Sequence, residues 1–400
     1  MNTKFLSYGP SQSVLQFLDP NIRLLLVAVA EFPKKEQRNQ LSQRAPTLRT
    51  AEALVPLRVR NLELSEEDTV LNDTTYKLGI VQRQTTNQTS DDVKKQNDDG
   101  GLRYDLDKYG DRDSNAENVL TPGDVTLYKK GRNEDQETPQ NDVRIVERND
   151  QNDLHEFYIQ LTITSPRGVQ IERVRYNKWL YAAHKAVRAK LLTRSSGFPV
   201  YVKNLDVRYA FMLRLPEGIQ FAIRGLKLYY PSQLIGLKPI ICESSFPLKF
   251  LMAKYLRKKD LSNKVIKKVV NSVDFLVLVG LMGCFHLKTR RLLESTHHFW
   301  DPSRSGIVKC WLAKNKEVGT CWTFKHYDEC VFRDFLMQIL QLDVGAERVD
   351  ETTVHIPTTN NTVIVVSYGP VDPLSKYKTS LDIQLTMEVV SEEDARSREH

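Results

Sequence analysis

The chain has 400 residues, 40% of them hydrophobic, which is enough to bury a sizeable core. Its longest aliphatic run, residues 24–30, is far shorter than the roughly 20 apolar residues that a membrane-spanning helix needs. The N-terminal stretch lacks the apolar run of a signal peptide, and five unevenly spaced cysteines do not make a disulfide framework. These features argue against a secreted or membrane-spanning protein and predict an intracellular one, of the cytoplasm or the nucleus.

Charge is segregated along the chain, although the net charge is only +7. Residues 66–157 hold 22 acidic and 12 basic residues, whereas residues 158–340 hold 31 basic and 12 acidic residues. This pattern indicates either contact between an acidic middle and a basic body, or a basic surface kept for an anionic partner.

Residues 1–65 are predicted to be partly helical and to lead into a first strand. Residues 11–18 have helical spacing that places Val14, Leu15 and Leu18 on one side, and these three are the candidate contacts for a protein partner. A second helix is expected from about residue 41 to residue 53. Residues 24–39 separate the two, either as an insertion or as an intron retained in the gene model.

Residues 66–156 are expected to form a largely disordered acidic insertion. From about Gln82 onward Gln, Asn, Asp, Thr and Gly dominate, and apolar residues are too sparse to offset the entropy of ordering the chain. Two exceptions, residues 120–127 and 143–146, are expected to be short strands or docking points.

Residues 157–300 are predicted to form an α/β body. Residues 157–164 alternate between apolar and polar side chains as a strand does, and residues 176–194 have clear helical spacing. A short pattern of successive residues then recurs. A β-branched residue is followed by a basic residue, by Asn or Gly, by Leu, by a variable residue and by an aliphatic residue. Its copies are residues 59–64, 202–207 and 223–228, and further strands are expected at 248–251 and 273–278.

The marker leucines of these strands follow one another at nearly even steps along the sequence; they are Leu205, Leu226, Leu251 and Leu276. A strand ending in Leu-x-Leu roughly every 20–29 residues is typical of leucine-rich repeats. We therefore predict an α/β fold that is a degenerate leucine-rich-repeat-like stack of strands and helices, with the acidic insertion and a C-terminal α+β cap. Chance similarity between short aliphatic strands is the alternative, since the regular asparagines of classical repeats are missing.

The cap covers residues 301–390, and residues 391–400 are expected to be a disordered tail. Within the cap, residues 307–312 and 331–342 are predicted helices. Strands are predicted at residues 319–324, 362–367 and 381–389, the last of which alternates cleanly.

The sequence contains no phosphate-binding loop, dinucleotide fingerprint, nucleophile elbow or H-E-x-x-H pair. Several cysteines and histidines lie between residues 284 and 330, but without the paired spacing typical of zinc ligands. Cys310 and Cys330 sit in apolar helical patterns and are interpreted as small core residues, while a cysteine–histidine nucleophile is left open. We predict no catalytic residue, no metal and no cofactor.

Residues 254–268 are the strongest functional signal, because cations far outnumber the single acidic residue there. Such a run can bind phosphates by releasing counterions, whereas a solvated helix face or pairing with acidic segments of the same chain is the alternative. The candidate anion-binding residues are Lys254, Arg257, Lys258, Lys259, Lys264, Lys267 and Lys268.

A family resemblance rests on stretches in a fixed order along most of the chain. They are residues 13–19, 41–49, 55–64, 72–80, 107–110, 120–124, 213–218 and 244–249. In these the chain resembles an expanded nematode family that carries an uncharacterised domain and is loosely related to F-box and F-box-associated proteins. The resemblance implies a substrate adaptor, whose F-box-like N-terminus engages a Skp1-type subunit and whose body selects a protein for ubiquitination.

The absence of catalytic motifs and the repeated strands favour a non-enzymatic protein–protein interaction module. A binder of nucleic acid or another anionic surface through residues 254–268 is the alternative, and an enzyme of unrecognised type is a third hypothesis.

Overall fold

The computed structural model describes residues 55–84, 91–107, 109–128, 155–193, 197–282, 286–295, 305–371 and 383–397. They form a mixed α/β structure in which strands predominate. The chain divides into two compact units, Met1–Ile223 with Gly236–Glu243, and Arg224–Ile235 with Ser244–His400. The division falls at residue 223, so it coincides with neither of the boundaries expected at residues 157 and 301.

Six strands of the first unit lie side by side in the order β7-β1-β2-β3-β5-β6. Among these six, β1 and β7 pair in parallel, and β4 and β8 form a separate short antiparallel ladder. Its strands are β1 (Arg58–Leu64), β2 (Asp68–Leu71), β3 (Thr74–Gln84), β4 (Val125–Thr126), β5 (His155–Ser165), β6 (Gly168–Arg175), β7 (Val200–Val207) and β8 (Met212–Leu213). Its helices are α1 (Asp91–Asp98), α2 (Ser114–Asn118) and α3 (Leu180–Leu192).

The repeated pattern has a physical basis in β1 and β7. The two copies lie side by side in parallel register, so that Leu62 faces Leu205 and Asn61 faces Asn204. In each copy two consecutive residues are less buried than their neighbours, which interrupts the alternation. The Asn204 amide donates to the Asn61 side chain at 2.8 Å. The pattern therefore specifies a strand in which two less buried residues are followed by buried aliphatic positions.

The acidic segment was expected to be disordered, and this expectation does not hold for residues 68–84, 91–107 and 109–128. The strands β2 and β3 belong to the sheet, and β3 pairs with β5 along its length. At Gly79 a Cβ would overlap the carbonyl oxygen of Gly100, so β3 and the chain after α1 pack backbone against backbone. Residues 129–154, including the strand expected at 143–146, lie outside the described residues.

Two carboxylates of the acidic segment hold it against α3. Asp105 is buried and accepts hydrogen bonds from the Tyr176 hydroxyl at 2.8 Å and from the backbone N–H of Leu180 at the start of α3. Asp124, in the expected docking segment, forms ion pairs with Arg214 at 2.8 Å and Lys185 at 3.2 Å. The segregated charge thus serves, in part, contact within the chain.

Nine strands of the second unit lie side by side in the order β9-β10-β11-β12-β13-β17-β16-β15-β14. Strands β9 to β13 are parallel and the rest are antiparallel. The strands are β9 (Phe221–Leu228, whose beginning belongs to the first unit), β10 (Phe250–Arg257), β11 (Phe275–Met282), β12 (Arg291–Ser295), β13 (Cys321–His326), β14 (Glu347–Arg348), β15 (Thr353–Pro357), β16 (Thr362–Pro370) and β17 (Ile383–Ser391). The helices are α4 (Gln233–Leu237, shared between the units), α5 (Lys264–Ser272), α6 (Ser305–Ala313), α7 (Glu329–Leu340) and α8 (Glu392–Ser397).

The marker leucines of the second unit form a row across the parallel strands. Leu226 of β9 is in register with Leu251 of β10, which is in register with Leu276 of β11 and then Leu292 of β12. All four are at most 1% exposed. Each interval between marker leucines therefore contains one strand and one connection, and it places the next leucine on the neighbouring strand.

The expectation of a disordered tail does not hold for residues 391–397, where α8 follows β17 directly. The Ser391 hydroxyl donates to the Asp394 carboxylate at 2.6 Å and accepts the Asp394 N–H at 3.1 Å, which caps the helix. Among the described helices, none has the length and apolar character needed to cross a membrane.

His184 of α3 makes the first unit sensitive to acid. Burial, as the largest cause, and the nearby cations Arg188 and Arg214 together lower the pKa of His184 to about 3. The unfolded chain takes up a proton at this residue near its ordinary pKa of 6.5, and the folded chain only near pH 3. The free energy of unfolding therefore falls below about pH 6.5, by about 1.4 kcal/mol per pH unit, until about pH 3.

We expect His184→Gln to remove this contribution, because glutamine does not titrate. Between pH 7.5 and pH 5 the wild-type chain should lose about 2 kcal/mol that the variant keeps. Urea unfolding at both pH values measures the difference, with His355→Gln on the half-buried strand β15 as the matched control. Equal pH dependence in wild type and His184→Gln would contradict the assignment.

Candidate functional site

The parallel strands of the second unit have two faces of different character. One face carries the leucine row and continues to Trp322 of β13, whose ring packs edge-on against Trp311 of α6 with centroids 5.3 Å apart. On the same face the His326 ring lies 6.1 Å from the Phe332 ring of α7. This face is therefore the one covered by α6 and α7.

The opposite face of β10, β11 and β12 is partly exposed. In β10 the residues alternate, so that Leu251 and Ala253 are buried while Phe250, Met252 and Lys254 keep part of their surface. The register places Phe275 of β11 beside Phe250, and Arg291 of β12 beside Phe275. We call this surface the aromatic–basic face and define it as Tyr229, Phe250, Met252, Lys254, Phe275 and Arg291.

Ring and cation contacts organise the aromatic–basic face. The Phe250 and Phe275 rings are 6.0 Å apart at 56°, and the Arg291 guanidinium lies 5.6 Å from the Phe275 ring centroid. The Lys254 ammonium lies 4.6 Å from the Tyr229 ring centroid. Both are cation–π distances, with Lys254 partly buried and Arg291 exposed.

The partly exposed area ends toward β13. On the same face Val277 of β11 and Leu293 of β12 are 3% and 6% exposed, and Lys325 of β13 is 1% exposed. Burial lowers the pKa of the Lys325 ammonium. The accessible part of the face is thus a patch of aromatic, methionine and arginine side chains beside a buried apolar row.

This composition suits recognition of another macromolecule. Aromatic residues, methionine and arginine are the types enriched in protein–protein interfaces, because they supply large contact area with few rotatable bonds or planar hydrogen-bonding groups. The side chains of the face are aromatic, thioether and cationic groups, which supply contact area and positive charge.

The structure separates the candidate anion-binding residues into three groups. Lys254 belongs to the aromatic–basic face. Arg257 ends β10 and is bound to Asp260, whose carboxylate accepts its backbone N–H at 2.9 Å and its Nε–H at 3.4 Å. The remaining five lysines are exposed on the following turn and on α5; they are Lys258, Lys259, Lys264, Lys267 and Lys268.

The five exposed lysines surround the start of α5. Asn263 caps this helix, accepting the N–H groups of Val265 at 2.9 Å and Ile266 at 3.3 Å, while Ile266, Val269 and Val270 face inward. The first turn contains no acidic residue, and none of the five lysines forms an ion pair with a described residue. The helix dipole adds to their positive potential at this end.

The remaining residues that were named from the sequence lie away from the aromatic–basic face or outside the described residues. Val14, Leu15 and Leu18 lie outside the described residues, as do Cys284, His297 and His298. Cys310 of α6 is buried, as interpreted from its apolar surroundings, whereas Cys330 is exposed on α7. Within the described part of the chain no three His, Cys, Asp or Glu side chains are grouped to hold a metal ion.

The spacing of the leucines predicted strands near β10 and β11, but the side chains that alternate with those leucines were overlooked. The signal was present, because Phe250, Met252 and Lys254 follow one another at the period of two that a strand requires. What the sequence does not contain is the register that brings Phe275 and Arg291 alongside them.

A comparison with protein families matches residues 180–327 to a family described as a domain of unknown function (DUF3557). This span runs from α3 to the residue after β13 and contains the whole aromatic–basic face. No curated protein and no solved structure was found to be similar to the chain.

Adjacent residues of β10 allow the two faces to be tested. We expect Leu251→Ala to cost about 2–5 kcal/mol in the free energy of unfolding, because it opens a cavity in the leucine row. Met252→Ala removes a side chain of similar size from the partly exposed face and should cost about 1 kcal/mol or less. Denaturant unfolding of both variants measures the contrast, and equal costs would place Met252 in the core.

Proposed function

We propose that the chain is a non-enzymatic protein–protein interaction module in which the aromatic–basic face contacts the partner. The observation that carries this proposal is the face itself, in which two phenylalanines, a methionine and an arginine are held partly exposed by strands whose other side is fully buried. Such residues, beside a rim of charge, supply most of the binding energy in known interfaces.

We further propose that the parallel strands are a degenerate leucine-rich-repeat-like stack. Consecutive strands β9 to β13 are neighbours in chain order, their leucines share one row, and α6 and α7 pack on the leucine side. Repeat proteins of this kind offer extended surfaces for binding partners.

The resemblance to the nematode family that is loosely related to F-box and F-box-associated proteins supports a more specific version, a substrate-recognition adaptor of a Skp1-type ubiquitin ligase. In this version Val14, Leu15 and Leu18 contact the Skp1-type subunit, and the aromatic–basic face contacts the protein to be ubiquitinated. The two contacts are then separable by mutation.

The experiment is affinity purification of the full chain and of paired charge-reversal variants from cell extract, read by mass spectrometry. Lys254→Glu with Arg291→Glu should reduce a specific protein partner by about tenfold or more. Lys264→Glu with Lys267→Glu changes the net charge equally on α5 and should retain that partner. If both variants retain the same proteins, the aromatic–basic face is not the contact.

The N-terminal contact is tested by removing residues 1–54 and no more. A longer deletion, to residue 65, would also remove β1, which pairs with both β2 and β7. If the chain is such an adaptor, the protein without residues 1–54 should no longer bind a Skp1-type subunit but should still bind the partner of the aromatic–basic face. Retention of a Skp1-type subunit by the deleted chain would contradict it.

A second candidate function, binding of nucleic acid or another anionic surface, is favoured by one observation. Five exposed lysines surround the start of α5 without an ion pair to any described residue. Phosphates bound there would release counterions, and the affinity would then depend strongly on salt.

For this function we expect a fluorescent oligothymidylate of about 20 nucleotides to bind more weakly as salt rises. Log affinity falls as log salt rises. Replacing Lys258, Lys259, Lys267 and Lys268 by Gln should make this slope less steep by about 2–3, since each lost phosphate contact contributes about 0.7. Fluorescence anisotropy at several salt concentrations measures the slope. Affinity that does not vary with salt would exclude this function.

A further inference from the structure

A thiol and an imidazole meet beside α6, away from the aromatic–basic face. The Nδ1 atom of His286 lies 3.2 Å from the Sγ atom of Cys310, although the two are well separated in sequence. Cys310 is 9% exposed, whereas His286 is exposed. A neutral imidazole at this distance accepts the thiol proton.

Lysines that follow α6 position the histidine segment. Lys314 donates to the backbone carbonyl of His286 at 3.1 Å, and Lys316 donates to that of Leu287 at 2.7 Å. The Lys316 ammonium also lies 5.2 Å from the Trp322 ring centroid and 5.9 Å from that of Trp311. The imidazole is therefore held against the sulfur by contacts on its own backbone.

The same lysines give the sulfur a positive surrounding. Burial lowers the pKa of Lys316, and Lys314 and Lys288 lower it further, whereas a negative charge on Cys310 raises it. Lys316 therefore lies close enough to Cys310 for their charges to interact, and Lys314 and Lys288 are the cations close to Lys316.

We propose that Cys310 is a nucleophilic cysteine, activated by His286, that forms covalent adducts with carbonyl-conjugated alkenes. His286 takes the thiol proton, and the sulfur electron pair forms a bond to the β-carbon of the alkene. The alkene π electrons move to the carbonyl oxygen, and the enolate then takes the proton back at its α-carbon. The product is a thioether, and no atom leaves.

This site is independent of the proposed interaction function, because it uses none of the residues of the aromatic–basic face or of α5. It gives the chain a place for small-molecule modification on α6, the helix that precedes β13. Modification there would add bulk beside Trp311, which is fully buried.

The test treats the folded full chain with limiting N-ethylmaleimide and follows each cysteine by peptide mass spectrometry at several pH values. Cys310 should be modified in the native protein. His286→Asn keeps a hydrogen-bond acceptor near the position of Nδ1 but cannot carry the proton, and it should slow modification of Cys310 at pH 7 by about tenfold or more. In the variant the rate should instead rise steadily with pH, because the thiol must then lose its proton to the solvent.

Cys330 provides the internal reference, because it is exposed on α7 and its rate should be equal in wild type and variant. His286 is exposed, so its replacement is not expected to unfold the chain, and thermal unfolding checks this. A second variant, Lys316→Gln, keeps the imidazole and should slow Cys310 by removing a cation. The proposal is overturned if Cys310 stays unmodified while Cys330 reacts fully, or if His286→Asn leaves the Cys310 rate unchanged.

Discussion

Register between parallel strands governs what the second unit buries and what it presents. Leu226, Leu251, Leu276 and Leu292 occupy one row, and each is removed from water by its neighbours in that row and by the elements packed on them. Because side chains alternate along a strand, a slip of a single position in β10 would turn Leu251 outward and Met252 inward. Exposure of the aromatic–basic face is therefore a consequence of burying the leucines, and both properties depend on the same backbone hydrogen bonds.

A different constraint adds to apolar packing in the first unit. The segment between β3 and β5 places Leu106 in the buried core. Asp105 also supplies an acceptor to the start of α3, and Asp124 joins Arg214 and Lys185. A buried carboxylate is costly unless it is paired, so each of these contacts favours one position of the segment over others. The described part of the segment is therefore fixed by a few directional contacts together with its apolar share of the core.

These two constraints explain which parts of the fold could be predicted. The repeat in the sequence was detectable because it records buried positions, and residues 59–64 and 202–207 do pair in register. The order of the acidic segment was not detectable from composition, since composition counts apolar residues and does not show which carboxylates find a donor.

The candidate sites could also be predicted only in part, because they depend on contacts between segments that are distant in sequence. The cations of residues 254–268 are contiguous in sequence, but a strand, a turn and a helix direct them to different surfaces. Phe250 and Arg291 are distant in sequence and meet only through the register of β10, β11 and β12. The contact between His286 and Cys310 likewise depends on the path of the chain around α6, which no local pattern encodes.

Two strands of the span matched to the family pair with strands that lie outside it, since β7 pairs with β1 and β13 pairs with β17. That span, residues 180–327, contains β7 and β13 but neither β1 nor β17. Cut out of the chain, it would carry two strands whose outer N–H and C=O groups had lost their partners. Unpaired strand edges of this kind pair with other chains, so the excised span would tend to self-associate.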